Sequence, residues 1–121
     1  MPADWAEDLL GRAYAAFNAR DIYRALALMA PDVDWPNAME GGRELGHEAV
    51  RAYWTRQFGL IDSHVEPVGF SEDDEGRIVV DVDQVVRDLD GSLLSEQRVQ
   101  HVYTLRGGLI LRMDIRPPPS R

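Results

Sequence analysis

The chain contains no cysteine and no lysine: its 13 basic residues are all arginine, set against 21 acidic residues and three histidines. Without cysteine there is no disulfide, no thiolate metal site and no cysteine nucleophile. Without lysine there is no side-chain amine for a Schiff base with a carbonyl substrate or with pyridoxal phosphate. The net charge of −8 opposes polyanions, and the arginines are scattered among carboxylates, so nucleic acid is not an expected partner. No apolar run approaches the roughly 20 residues of a membrane-crossing helix, and MPADWAED lacks the basic and apolar regions of an export signal. A cytoplasmic protein with no membrane partner is expected. HExxH, GxSxG and GxGxxG are missing, His47, His64 and His101 are dispersed, and the acidic spacing of SEDDEG (71–76) does not match a calcium loop. Neither a metal nor a nucleotide cofactor is expected.

What is present suits one core: 121 residues at 45% hydrophobic content, read as a single domain over 1–116 followed by a Pro-rich tail, 117–121, that cannot join a sheet ladder. Leu9, Leu10, Ala13, Ala16 and Phe17 recur at helical spacing and predict a first helix. Asn18 to Asp21 breaks the pattern, and Asp21 can cap a second helix whose apolar side is Ala25, Leu26, Leu28 and Met29, ending at Pro31. Val33, Trp35 and Asn37 then share one side of an extended segment, opposite Asp32 and Asp34. PNAMEGGRELG (36–46) reads as a loop placed to cover a pocket mouth. A third helix over His47 to Phe58 carries Ala49, Val50, Tyr53, Trp54 and Phe58 along one side. Strands follow at roughly 63–72, 77–89, 94–106 and 108–116, separated by EDDEG, DLDGS and RGG turns.

Taken in order, the opening block, GHEAVRAYW (46–54) and RVQHVYTLRGGLILRMDI (98–115) resemble the NTF2-like superfamily, which includes ketosteroid isomerases, SnoaL-type polyketide cyclases, limonene epoxide hydrolases and scytalone dehydratases. The resemblance implies an α+β cone, three N-terminal helices packed on a strongly curved antiparallel or mixed sheet that encloses a pocket. It also implies a homodimer formed through the outer sheet face. Apolar residues on both faces of the strand after residue 77 fit that arrangement, with Asp81, Asp83, Val85 and Arg87 on one face and Val80, Val82, Gln84 and Val86 on the other.

Ketosteroid isomerases use an aspartate base with a tyrosine and a protonated aspartic acid as oxyanion donors. Ungapped register on Asn18, Ala19 and Asp21 puts the tyrosine donor on Ala13 and the base on Asn37, and the His101 strand puts the acidic donor at Gln100. All three depart from the isomerase pattern. Tyr14 is rotated by about 100° from Ala13, which assigns its ring to the core or an interface. The same register turns Asp81, Asp83, Val85 and Arg87 toward the cavity, with Asp83 the leading base, Asn37, Gln100 and Arg87 the orienting groups, and His101 on the outer face. Asp83, Arg87 and Asp114 superficially match the Asp-Arg-Asp set of the epoxide hydrolases, but Asp114 alternates with Leu111, Met113 and Ile115 and faces outward. Trp35, Tyr53, Trp54 and Met113 fall at positions that line the cavity in relatives, so the resemblance implies that they form the pocket wall with Val85 and Val102, and aromatic walls suit a flat, small, apolar or carbonyl-bearing molecule. Three functions remain open: cofactor-free acid/base catalysis of an isomerase, cyclase or dehydratase type, non-catalytic ligand binding, and a dimerisation module.

Overall fold

The computed structural model describes residues 2–117. All but one of the proposed tail positions, 118–121, lie outside the described residues. Helix α1 (Asp4–Asn18) buries Ala6, Leu9, Leu10, Ala13, Tyr14 and Ala16, one apolar stripe at helical period. Among the described residues no helix is long and apolar enough to cross a membrane.

Helix α2 (Ile22–Leu26) starts at Asp21, whose side chain accepts the backbone N–H of Arg24 at 3.0 Å. It is shorter than the sequence predicts. Met29 already belongs to strand β1 (Met29–Pro36), because its backbone is drawn into a parallel ladder with Ile110, so Pro31 lies in a strand and ends no helix. The ladder is irregular between Met29 and Asp34, and a proline without an N–H is tolerated there.

The segment 36–46, expected to be all loop, folds back on β1. Gly41 and Gly42 take φ of 90° and 79°, and Arg43–Leu45 pairs antiparallel with Asp34–Pro36 as a short edge strand, β2. Helix α3 (His47–Phe58) then buries Val50, Tyr53, Trp54 and Gln57. Strands β3 (Asp62–Glu72), β4 (Ile78–Arg87), β5 (Leu93–Arg106) and β6 (Leu109–Arg116) form an antiparallel meander, and the sheet runs β2-β1-β6-β5-β4-β3. Register breaks at Pro67/Gly69, Val86/Arg87 and Thr104/Leu105 mark bulges, which bend an open sheet around the helices.

The faces of β4 and β5 are the reverse of the predicted ones. Val80 and Val82 are fully buried in the core with Val99 and Tyr103, while Asp83 lies opposite Arg98 and Asp81 opposite Gln100 on the outer face. Alternation decides the set as a whole. Either face of VVDVDQVV carries valines, but only one carries Asp81 and Asp83, and that face stays where arginine and water can reach the carboxylates.

The roof is tied to the sheet by Asn18, the last residue of α1. Its amide donates to the carbonyl of Val65 at 2.8 Å and accepts the Val65 N–H at 3.0 Å, serving as a pairing partner on the free edge of β3. Asn18→Ala leaves both backbone groups without this partner and should lower stability by about 1–3 kcal/mol in urea unfolding. A loss indistinguishable from zero would show that water replaces the clamp.

Candidate functional site

Between roof and sheet lies a cavity with about 80 Å³ open to the centres of water-sized molecules. Helix α1 contributes Ala13, Tyr14 and Phe17, helix α3 contributes Tyr53, Trp54 and Gln57, and the end of β1 brings Trp35 and Pro36, followed by Ala38. The floor is Ser63, Val65, Gln84, His101, Tyr103, Met113 and Ile115. Edge-to-face contacts build the walls: Trp35 meets Trp54 at 5.4 Å between ring centroids, and Phe17 meets Trp54 at 5.6 Å.

Within this largely apolar lining, Tyr14, His101 and Tyr103 form a hydrogen-bonded constellation. The Tyr103 hydroxyl donates to the Tyr14 hydroxyl at 2.9 Å, and the Tyr14 hydroxyl lies 2.8 Å from Nδ1 of His101. With Tyr103 as donor, Tyr14 keeps its own proton for Nδ1, so the remaining imidazole proton sits on Nε2. The Tyr14 and His101 rings stack, with an interplanar angle of 14°. Burial pushes His101 down to about 4, from 6.5, and it is therefore neutral near pH 7. Burial also raises Tyr14 well above the usual phenol value, reinforced by the neighbouring Tyr103, and raises Tyr103. Among the described residues no carboxylate lines the cavity.

The predicted site residues divide in two. Trp35, Tyr53, Trp54 and Met113 lie on the cavity wall. Asp83 does not reach the cavity: its side chain is half exposed on the outer face and ion-paired with Arg98. Gln100, also on the outer face, donates to Asp81 at 2.9 Å and accepts from Arg116 at 2.9 Å. Val85 and Val102 share that parity and line nothing in the cavity. Arg87 ends β4 and bonds the Gly91 carbonyl of the hairpin turn at 3.1 Å. Asn37 is buried beside the mouth, but its amide is committed to the turn that follows, donating to Glu40 at 3.0 Å and Glu44 at 2.7 Å and accepting the Glu40 N–H. Asp114 faces outward, bound by Arg112 at 2.9 Å and Arg43 at 3.1 Å, and the first of these holds its carboxyl below the usual range. The Asp83, Arg87 and Asp114 set is therefore not assembled.

The residues that do meet, Tyr14 and His101, were assigned elsewhere by register. A core-facing stripe spans 100° or more, wide enough for Ala13 and Tyr14 together. Their signal was the pairing of His101 with Tyr103 two residues on, which any choice of face keeps on one side. His47 instead bonds the Met29 carbonyl at 3.0 Å, and His64 is exposed beside Glu66. Among the described residues no group of three or more His, Asp or Glu side chains is placed to hold a metal ion.

A sequence profile of the SnoaL-like domain matches residues 10–113. The chain belongs to the SnoaL-like family. Solved structures agree with that placement and with the NTF2-like superfamily. TerC, co-crystallised with polyporic acid, is 27% identical at a TM-score of 0.80, over 93% of this chain and 90% of TerC. An NTF2-like protein of unknown function from Burkholderia pseudomallei is 26% identical at 0.81, over 96% and 92% of the two chains. A proposed polyketide cyclase from Xanthomonas campestris pv. campestris is 25% identical at 0.76, over 92% and 88%. No curated protein sequence matches this SnoaL-like chain.

Burial of His101 has a pH consequence for this SnoaL-like domain. In the unfolded chain the imidazole takes up its proton near 6.5, but in the fold only near 4, so between these values the unfolded state binds more protons. Stability therefore rises with pH across that window and is lost as pH falls, by about 3 kcal/mol between pH 7 and pH 4 from this one group. Urea unfolding of the parent and of His101→Gln at both pH values should give a steeper acid loss in the parent by that amount. Equal losses would mean that the imidazole is not kept neutral by the fold.

Proposed function

We propose that this SnoaL-like protein binds a small, flat, largely apolar molecule bearing a carbonyl or hydroxyl group, and that the Tyr103–Tyr14–His101 chain binds and polarises that oxygen. The observation that carries this reading is the position of the Tyr103–Tyr14–His101 chain: it is a hydrogen-bonded constellation in an aromatic cavity, and it ends on an imidazole whose Nδ1 is occupied. Nε2–H is then the group left for a ligand oxygen. A neutral imidazole is a better hydrogen-bond acid than base in this setting, because burial opposes protonation of the ring. The chemistry that fits is cofactor-free electrophilic assistance in an isomerisation, cyclisation or dehydration, where negative charge grows on an oxygen. Low local polarity strengthens that hydrogen bond.

A second reading, ligand binding without turnover, is favoured by a lining that, among the described residues, contains no carboxylate to act as a strong proton acceptor. A homodimer through the outer face of β4, β5 and β6, and residence in the cytoplasm, belong to the same proposal. Native mass spectrometry showing only monomer at micromolar concentration would remove the dimer.

TerC was co-crystallised with polyporic acid, which makes that compound a suitable first probe. We expect saturable quenching of Trp35 and Trp54 fluorescence by polyporic acid. In His101→Phe, which keeps a ring but removes the donor, affinity should fall by about tenfold. No saturation, or equal affinity in parent and variant, would reject the assignment.

A further inference from the structure

The cavity has a second polar end. His101 pairs with Val80 across β5 and β4, and Val65 pairs with Gln84, four residues further along the same strand. At about 3.3 Å per residue, Gln84 stands ~13 Å from the His101 row. Ser63 lies one alternation beyond Val65 on the same face, and Gln57 projects from the last turn of α3 into the same cavity. Ser63 and Gln57 are 1% and 8% exposed, respectively. None of these three side chains hydrogen-bonds within the described chain, none of their polar atoms is fully buried, and all three residues line the cavity. Phe17 and Trp54 line the same cavity.

Buried amides and hydroxyls are nearly always paired, by protein, water or ligand. Two of them, with the half-buried amide of Gln84 in the same lining, therefore form a set of recognition groups at one end of an otherwise aromatic slot. The geometry points to Gln57, Ser63 and Gln84 as a second subsite, which takes a hydroxyl or carbonyl at the far end of an elongated, flat ligand whose near-end oxygen meets His101. This rests on the reading of the His101 end given above. The class of ligand follows from the groups present. Neutral amides and a hydroxyl can both donate and accept, so they satisfy a neutral oxygen function. They supply no counter-charge for a carboxylate or ammonium, which would be buried unpaired at that end. About 80 Å³ of centre space drawn out over such a length is a slot, suited to rings in line and not to a globular ligand.

The test compares p,p′-biphenol, with a hydroxyl at each end, and p-phenylphenol, which lacks one, by calorimetric titration of the full chain and of Gln84→Leu and Ser63→Ala. In the parent, p,p′-biphenol should bind about tenfold more tightly, the worth of one or two buried hydrogen bonds. In each variant that ratio should fall towards one, and binding of p-phenylphenol reports that the variant is folded. If p-phenylphenol binds but the parent ratio is already near one, or the ratio survives both substitutions, the second subsite is rejected while the His101 assignment stands. If neither compound binds the parent, both readings fall.

Discussion

The cost of placing a carboxylate in a largely apolar cavity organises this protein. Strand β4 carries valines on both faces but Asp81 and Asp83 on one only, and an ionised carboxylate without a partner in a low-dielectric interior is far more costly than an exposed valine. The strand therefore turns Val80, Val82 and Gln84 inward, and pairing carries that choice to β5, where His101 follows Val80 and Tyr103 follows Ile78. Outside, the excluded carboxylates find arginine: Asp83 with Arg98, and Asp34 and Asp114 with Arg43 and Arg112. With most of these pairs a quarter to a half exposed, they contribute little to stability, and their role is to make the outer face acceptable to charge. Among the described residues, the cavity lining is left without a carboxylate or an arginine.

Where the sequence was legible, a single period controlled the outcome. Helix α3 was predicted over the residues it occupies because Val50, Tyr53 and Trp54 define one helical side and Gly46 stands just before it. Trp35, Tyr53, Trp54 and Met113, assigned to the pocket wall from the family resemblance, lie on the cavity wall. Legibility failed where two assignments fitted the pattern equally well. In VVDVDQVV both parities are apolar, so one residue of register moves Asp83, Val85, Gln100 and Val102 from cavity to outer face and brings His101 inward. Strand β2 was hidden by its length, since three residues carry no alternation. Met29 was read as helical because its ladder partner, Ile110, lies 81 residues away, and no local signal reports a parallel pairing of that range.

The inverted parity changes the chemistry. A cavity facing Asp83 would hold a base; a cavity facing His101 and Tyr14 holds donors. In a site without carboxylates the imidazole has no anion to stabilise its cation, and burial alone sets its charge state. Tyr14 completes the arrangement: with Tyr103 donating to it, its own proton goes to Nδ1 and the ring proton to Nε2, the donor that the proposed reading gives to a ligand oxygen. Passing that proton on fully would require Tyr14 to give up its own, and burial beside Tyr103 makes a phenolate there more costly than in water. The chain is therefore better suited to sharing a proton with developing negative charge than to releasing one. A reaction using it must draw its base from the substrate or from water, which places the burden of specificity on how the slot aligns the ligand.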